Sequence, residues 1–294
     1  MIKILLIGGS GYIGKNIKEY LISRNYTVVS PTSKDLDATD EVSVRNFLIR
    51  DYYDVIIHSA VDNYSSREYG KESKFLYNTL NMFYSFEKNK DLFGKMIYFG
   101  SGAEYDKSND IKNVIEEDFG NNIPKDEYGF AKYIIAKQIE NSNNIYNLRL
   151  FGVFGKYEHW KSKFISNACC KVLNNIPISI RQNVYFDYLW IDDLCKIVEW
   201  FINNKPKFNT YNVTTGKNID LLTIAQIINR YNDNNLPIYV CKDGLANEYT
   251  SNNDRLLNEI DGFNFTKIEY SIKILFEYYK NNNTDVDIYS LLYY

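Results

Sequence analysis

Residues 2–14 read IKILLIGGSGYIG. Ile2–Ile7 is a compact apolar run, the pattern of a strand buried on both faces. Glycines stand at positions 8, 11 and 14, and Lys15–Arg24 then places Ile17, Tyr20 and Leu21 at helical spacing. A chain that passes so sharply from strand to helix needs backbone conformations that glycine adopts freely. A phosphate that approaches the backbone needs Cβ atoms out of its way. The following helix offers unpaired N–H groups and the positive end of its dipole to a pyrophosphate. The stretch therefore predicts dinucleotide binding, with Gly8, Gly11, Tyr12, Ile13 and Gly14 at the cofactor. The competing reading is a glycine turn with no ligand.

Working outward, Thr27–Ser30, Asp54–Ala60, Lys95–Gly100 and Ile145–Phe151 read as further strands. Val42–Arg50, Lys74–Lys90 and Glu127–Glu140 read as helices between them. This alternation predicts an α/β fold: a doubly wound parallel Rossmann sheet with helices on both faces. Beyond Gly155 the pattern loosens. Trp160–Leu173, Asp192–Asn203, Leu221–Tyr231 and Thr266–Lys280 look helical. Pro177–Ile180 and Asn209–Val213 look like short strands, and Asn232–Asn235 and Asn281–Asn283 like loops. The expected division is a dinucleotide-binding domain over residues 1–155, with a returning segment near 184–213. Residues 156–294 are expected to form a smaller mixed α/β substrate-binding region. A junction of this kind makes a cleft, where ligands tend to bind.

Composition narrows the function. The 294 residues carry a formal net charge of −3 and no basic stripe, which argues against a nucleic-acid partner. No stretch approaches the ~20 apolar residues of a membrane span. The N-terminal apolar run meets glycine too soon for a secretory signal, so a cytoplasmic protein is expected. Four cysteines without a CxxC pair, and only His58 and His159 among histidines, predict no disulfide framework and no metal site.

The second strand bears on the cofactor. An acid at its end would accept from the ribose hydroxyls of NAD and repel a 2′-phosphate. Here Thr32, Ser33 and Lys34 occupy that region, and the first acid is Asp35. Two hydroxyls and a cation favour NADPH, with NAD the alternative. Ala60, at the end of the DVIIHSA strand, is also expected at the cofactor.

The chemistry lies in two further segments. Tyr128 and Lys132, in EYGFAKY, are four apart on a predicted helix and so share a face. A free phenol has a pKa near ~10; a nearby ammonium is expected to lower it. YFGSGAEYD (Tyr98–Asp106) follows a strand and carries Ser101, whose hydroxyl can donate to a carbonyl or alkoxide. The bland alternatives are a chance YxxxK in a Tyr- and Lys-rich chain and a strand-end turn serine.

The GxxGxxG spacing, the Ser101 segment and Tyr128/Lys132, in that order, resemble the extended short-chain dehydrogenase/reductase superfamily. NLRLFGVFG (Asn147–Gly155) and FDYLWIDDL (Phe186–Leu194) extend the likeness, with Asp193 expected to cap a helix. Within the superfamily the chain resembles nucleotide-sugar epimerases and reductases of the GDP-fucose synthase and dTDP-4-dehydrorhamnose reductase types. The resemblance implies Ser101, Tyr128 and Lys132 as catalytic residues, with Tyr128 and Lys132 also at the cofactor and Lys132 on the nicotinamide ribose. It implies a nucleotide-sugar substrate (GDP-, CDP- or dTDP-linked) and dimers formed through helices such as Lys74–Lys90 and Glu127–Glu140. Substrate contacts are expected from Ser101, Gly102, Ala103, Tyr128, Lys163 and Arg181.

The chain also departs from these relatives. Gly152 stands where they often have Asn, and Phe186 where they often have Arg, both commonly serving the substrate diphosphate. Lys161, Lys163 or Arg181 can supply that charge. Ala103 and Lys163 replace the Cys and His that the GDP-fucose synthase type uses to epimerise, and alanine cannot move a proton. A dehydratase-like acidic pair after Ser101 is absent. The leading expectation is an NADPH-dependent reductase of a 4-keto-6-deoxy sugar nucleotide for surface-polysaccharide assembly. A 4-epimerase using the same trio is the alternative. A cofactor-holding regulator without catalysis is a third.

Overall fold

The computed structural model describes residues 2–62, 74–282 and 286–293. Its first half alternates strand and helix: β1 (Lys3–Ile7), α1 (Tyr12–Ser23), β2 (Thr27–Val29), α2 (Glu41–Leu48), β3 (Tyr53–His58), α3 (Phe75–Glu87), β4 (Phe93–Ser101), β5 (Ile111–Val114), α4 (Glu127–Ile139) and β6 (Ile145–Leu150). The second half is less regular: β7 (Gly152–Phe154), α5 (Phe164–Leu173), β8 (Ile178–Asn183), β9 (Tyr185–Trp190), α6 (Ile191–Asn203), β10 (Thr210–Val213), β11 (Asn218–Asp220), α7 (Leu221–Asn229), β12 (Ile238–Leu245), β13 (Tyr249–Ser251), α8 (Asp254–Leu257), α9 (Ile268–Asn281) and α10 (Ile288–Tyr293).

The central sheet runs in the order β2-β1-β3-β4-β6-β10, with every pair parallel. Successive residues of a strand point to opposite faces. Accordingly Ile4, Leu6, Val55 and Ile57 enter one apolar core while Leu5, Ile7 and Ile56 enter the other. This two-sided burial is why the strands read as unbroken apolar runs rather than alternating ones. From β1 the chain moves outward to β2 and then returns to place β3 on the other side of β1. That reversal opens a crevice at the carboxyl ends of β1 and β3, where α/β sheets bind ligands.

The remaining strands build a second layer. One sheet runs β11-β9-β13-β5 with β7 paired to β9, and β12 pairs with β8. Several of these strands escape the sequence reading because they are short and pair with distant segments. Of the returning segment, β10 joins the central sheet beside β6, whereas β9 belongs to the second sheet. The helix expected from Trp160 begins only at Phe164, with Lys163 as its N-cap residue. The loop expected over Asn281–Asn283 overlaps the end of α9; Asn283 lies outside the described residues. Asp193 was expected to cap α6, but the cap position belongs to Trp190. Asp193 is buried and accepts from the Thr266 backbone at 2.7 Å and hydroxyl at 2.9 Å, tying the segment before α9 to α6. Among the described residues no helix is long and apolar enough to cross a membrane.

Helix α1 and strand β1 touch at Gly14 and Gly8. Gly8 has a positive φ of 85°, and a Cβ on Gly14 would stand 2.1 Å from the Gly8 carbonyl oxygen. A clash with backbone cannot be relieved by a rotamer change. Gly14→Ala is therefore expected to destabilise the protein by about 3 kcal/mol, read from urea denaturation. Stability within about 0.5 kcal/mol of wild type, the usual range for inconsequential changes, would contradict this packing argument.

Candidate active site

A cavity of about 760 Å³ occupies the crevice at the switch point. Its floor is the glycine loop, including Gly8, Gly11, Tyr12 and Ile13; Thr32, Ser33 and Asp37 line it as well, with Ala60. The cap position of α1 is Gly11, and among the described residues no side chain caps that helix. The N–H donors of its first turn, beside a glycine cradle that a Cβ would fill, fit the pyrophosphate of a dinucleotide. Gly14 is outside the lining; it lets α1 approach β1. Lys34, expected at a 2′-phosphate, is exposed and also outside the lining. Its neighbour Thr32 donates its hydroxyl to Asp35 at 2.7 Å.

The same cavity is lined by Ser101, Tyr128 and Lys132. Ser101 ends β4. Its hydroxyl accepts from the Ala103 N–H at 3.1 Å and initiates a 3-10 turn, Gly102–Tyr105. Asp126 caps α4 by accepting from the Gly129 N–H at 2.9 Å, which sets Tyr128 in the first turn. A Cβ on Gly129 would meet the Ala103 carbonyl at 2.8 Å, so glycine allows α4 to lie directly on the Ser101 turn. The Tyr128 hydroxyl is thereby brought toward that of Ser101, beside it in the lining of the cavity.

Lys132, one turn along α4, does not pair with Tyr128 as expected. Its buried ammonium donates to the Tyr98 hydroxyl at 2.8 Å and the Phe99 carbonyl at 2.7 Å. Burial lowers its pKa to about 8, against the pull of the Glu104 carboxylate. Tyr128 moves opposite to expectation: burial raises its pKa, the nearby Ser101 hydroxyl opposes the rise, and the Glu104 and Asp126 charges add to it. The phenol is thus held protonated at neutral pH.

Glu104 turns away from the cavity, and the structure gives it a role beneath it. It accepts from the Ser101 N–H at 2.9 Å and pairs with Arg149 at 2.5 Å; Asn147 donates to it at 3.1 Å. Arg149 also reaches the Tyr105 hydroxyl at 3.0 Å. Both charges of the pair are buried.

A second cavity, about 680 Å³, shares Ser101, Tyr128 and Lys163 with the first. Gly152 and Phe186, which stand where the resemblance implies an Asn and an Arg at the substrate diphosphate, line it with Phe164, Tyr188 and Tyr249. Of the expected substrate contacts, Gly102, Ala103 and Arg181 line neither cavity. Gly102 is buried against the Phe151 and Tyr249 rings, and Ala103 is fully buried under α4. Arg181 follows the alternation of β8, in which Ile178 and Ile180 point inward and Ser179 and Arg181 outward. The sequence reading missed Tyr249 and Lys107. The Tyr249 hydroxyl is 3.5 Å from that of Ser101, and the Lys107 ammonium lies 5.4 Å from the centre of the Tyr128 ring. Tyr249 reaches the site because β13 pairs with β9 and β5, a contact without local signal. The only hint for Lys107 was its place two residues after Tyr105.

A glycine-floored crevice on a parallel sheet, with serine, tyrosine and lysine at its inner end, defines a dinucleotide-dependent enzyme of the Rossmann class. The chain belongs to the NAD dependent epimerase/dehydratase family, which matches residues 4–214. It is similar to an ADP-L-glycero-D-manno-heptose-6-epimerase of Brachyspira hyodysenteriae, with 23% identity covering 84% of this chain and 86% of the relative. A GDP-L-colitose synthase of Yersinia pseudotuberculosis is 25% identical over 77% of this chain and 80% of its own. Among solved structures, a GDP-mannoheptose C4 reductase from Campylobacter jejuni with NADP bound superposes with a TM-score of 0.79, at 19% identity over 95% of this chain and 98% of that one.

The ion pair beneath Ser101 gives a stability test. Arg149→Met leaves Glu104 buried without its partner, and a loss of about 3–5 kcal/mol in denaturant unfolding is expected. The double variant Glu104→Gln/Arg149→Met should recover part of it. A single variant as stable as wild type would mean that the pair is not buried as described.

Proposed function

We propose that the protein is an NADPH-dependent reductase that converts the C4 ketone of a nucleotide-activated 4-keto-6-deoxy sugar to a hydroxyl. The observation that carries this reading is the meeting of the Ser101 and Tyr128 hydroxyls at the boundary of the two cavities, with the phenol held protonated. A nicotinamide cofactor bound in the first cavity supplies the hydride. Ser101 donates a hydrogen bond to the ketone oxygen, and Tyr128 transfers its proton to that oxygen as charge develops there. A neutral phenol suits donation, the direction a reductase needs. Lys132 uses two of its three N–H donors on Tyr98 and Phe99; the third serves the cofactor ribose.

The solved C4 reductase and a GDP-L-fucose synthetase from Naegleria fowleri, both with NADP bound, support NADPH and a GDP-linked substrate. Lys163, on both cavities, and Lys107 stand ready for the diphosphate. The reading carries with it a cytoplasmic enzyme of surface-polysaccharide assembly. It also carries a homodimer paired through α3 and α4, where Tyr77 and Phe130 are exposed. The second reading, a 4-epimerase, draws on the heptose-6-epimerase relative and uses the same three residues.

The test is NADPH consumption with a 4-keto-6-deoxy sugar nucleotide. Tyr128→Phe should bind NADPH as wild type does and lose at least about 100-fold in kcat; near-normal turnover would remove Tyr128 from the chemistry. A wild-type protein that holds NAD tightly and interconverts sugar epimers without net cofactor turnover would favour the epimerase. The pH profile gives a separate check. Lys132 loses its charge as pH rises through about 8, so kcat/KM should fall above that pH. A flat profile from pH ~7 to ~10, the span up to an ordinary lysine, would show that the ammonium is not needed.

A further inference from the structure

The reductase mechanism leaves one buried acid of the second cavity unused. Glu158 follows β7, is 6% exposed, and its side chain lines the cavity that also holds Ser101 and Tyr128. The Ser166 hydroxyl, from α5, donates to its Oε2 at 2.5 Å. The Tyr279 hydroxyl, from α9, donates to its backbone carbonyl at 3.3 Å, so the residue is fixed from two sides. Among the described residues no donor bonds its Oε1. A buried carboxyl held by one hydroxyl is poorly compensated for the water it has lost. The other acid of this lining, Glu248, instead accepts from Thr250 at 2.7 Å.

Among the described residues, several titratable groups act on Glu158 or feel its charge. The Lys163 ammonium, at the start of α5, acts on it from the cavity side. Tyr12 from α1, Tyr188 from β9, Tyr279 from α9 and Cys169 from α5 surround it; burial above all, with the acid's own charge, pushes these four up, so they remain protonated near neutral pH. His159, next in the chain, is exposed and bonds Ser162 instead. Burial raises Glu158 itself to about 7, opposed by Ser166 and Lys163.

We propose that Glu158 is a substrate-positioning residue whose carboxylate accepts hydrogen bonds from hydroxyls of the sugar. The cavity suits such a ligand: Phe186, Tyr188 and Tyr249 line it as aromatic surface for the C–H side of a pyranose, and Glu158 lines it as the acceptor for its hydroxyls. Glu158 then selects a hydroxylated sugar over a bare nucleoside diphosphate. This inference rests on the proposed reading of the site.

The test is calorimetric titration of the NADPH-loaded protein with GDP-mannose, CDP-glucose and dTDP-glucose, and with GDP, CDP and dTDP. Wild type should bind at least one sugar nucleotide more tightly than its nucleoside diphosphate. Glu158→Gln, which still accepts from Ser166 and so keeps the fold, should weaken the sugar-bearing ligand by about 10- to 100-fold and leave the diphosphate unchanged. Wild-type affinity for the sugar nucleotide should fall as pH drops through about 7, where the carboxylate is protonated, and Glu158→Gln should remove that dependence. Ser166→Ala removes a bond that favours the carboxylate, so its midpoint should move to higher pH. His159→Gln should leave the midpoint in place. Equal binding by wild type and Glu158→Gln, or equal weakening of sugar nucleotide and diphosphate, overturns the inference and leaves the reductase reading standing. Failure of wild type to bind any sugar nucleotide overturns both.

Discussion

The site depends on the contact of the first turn of α4 with the carbonyl of Ala103. Gly129 makes that contact possible, and Asp126 fixes where the helix begins. With the helix seated there, Tyr128 stands against Ser101 at the end of β4 and Lys132 reaches Tyr98 and Phe99 on the same strand. One strand end and one helix start thus supply all three groups. Their spacing is set by backbone rather than by flexible side chains, the kind of placement that catalysis by positioned donors requires.

Charge beneath this contact is arranged to match. The Glu104–Arg149 pair lies behind Ser101, and Glu104 holds the serine's own N–H. Its negative charge helps Lys132 keep its proton and discourages phenolate at Tyr128. Burial acts on both groups more strongly, driving each toward its neutral form. The outcome differs because the ordinary values differ: a lysine lowered to about 8 is still charged at neutral pH, while a raised tyrosine is neutral. One site therefore holds a cation and a neutral phenol close together.

The cofactor half was legible in the sequence because its signals are local. The apolar run, the glycine spacing and the helix that follows fall within Ile2–Arg24, and the sheet builds outward from them. Ser101, Tyr128 and Lys132 were legible as residues, but not in their bonding. Spacing on a helix suggested that Lys132 pairs with Tyr128, whereas depth in the structure turned its ammonium to β4. Tyr249 was illegible because it arrives through strand pairing with partners remote in sequence. Arg181 attracted attention as a nearby charge, yet the alternation of β8 faces it outward. Glu158 gave no signal at all, since a lone glutamate in a loop acquires meaning only when burial and a cavity surround it.

In the proposed reaction a hydride enters a sugar ketone while Tyr128 protonates its oxygen. The direct measurement uses NADPH deuterated at the transferring position, a 4-keto-6-deoxy sugar nucleotide and mass spectrometry of the product. One deuterium on the new carbinol carbon, with one cofactor oxidised per sugar, is the expected result. Unlabelled product, or sugar epimers formed while the deuterium stays on the cofactor, would contradict it.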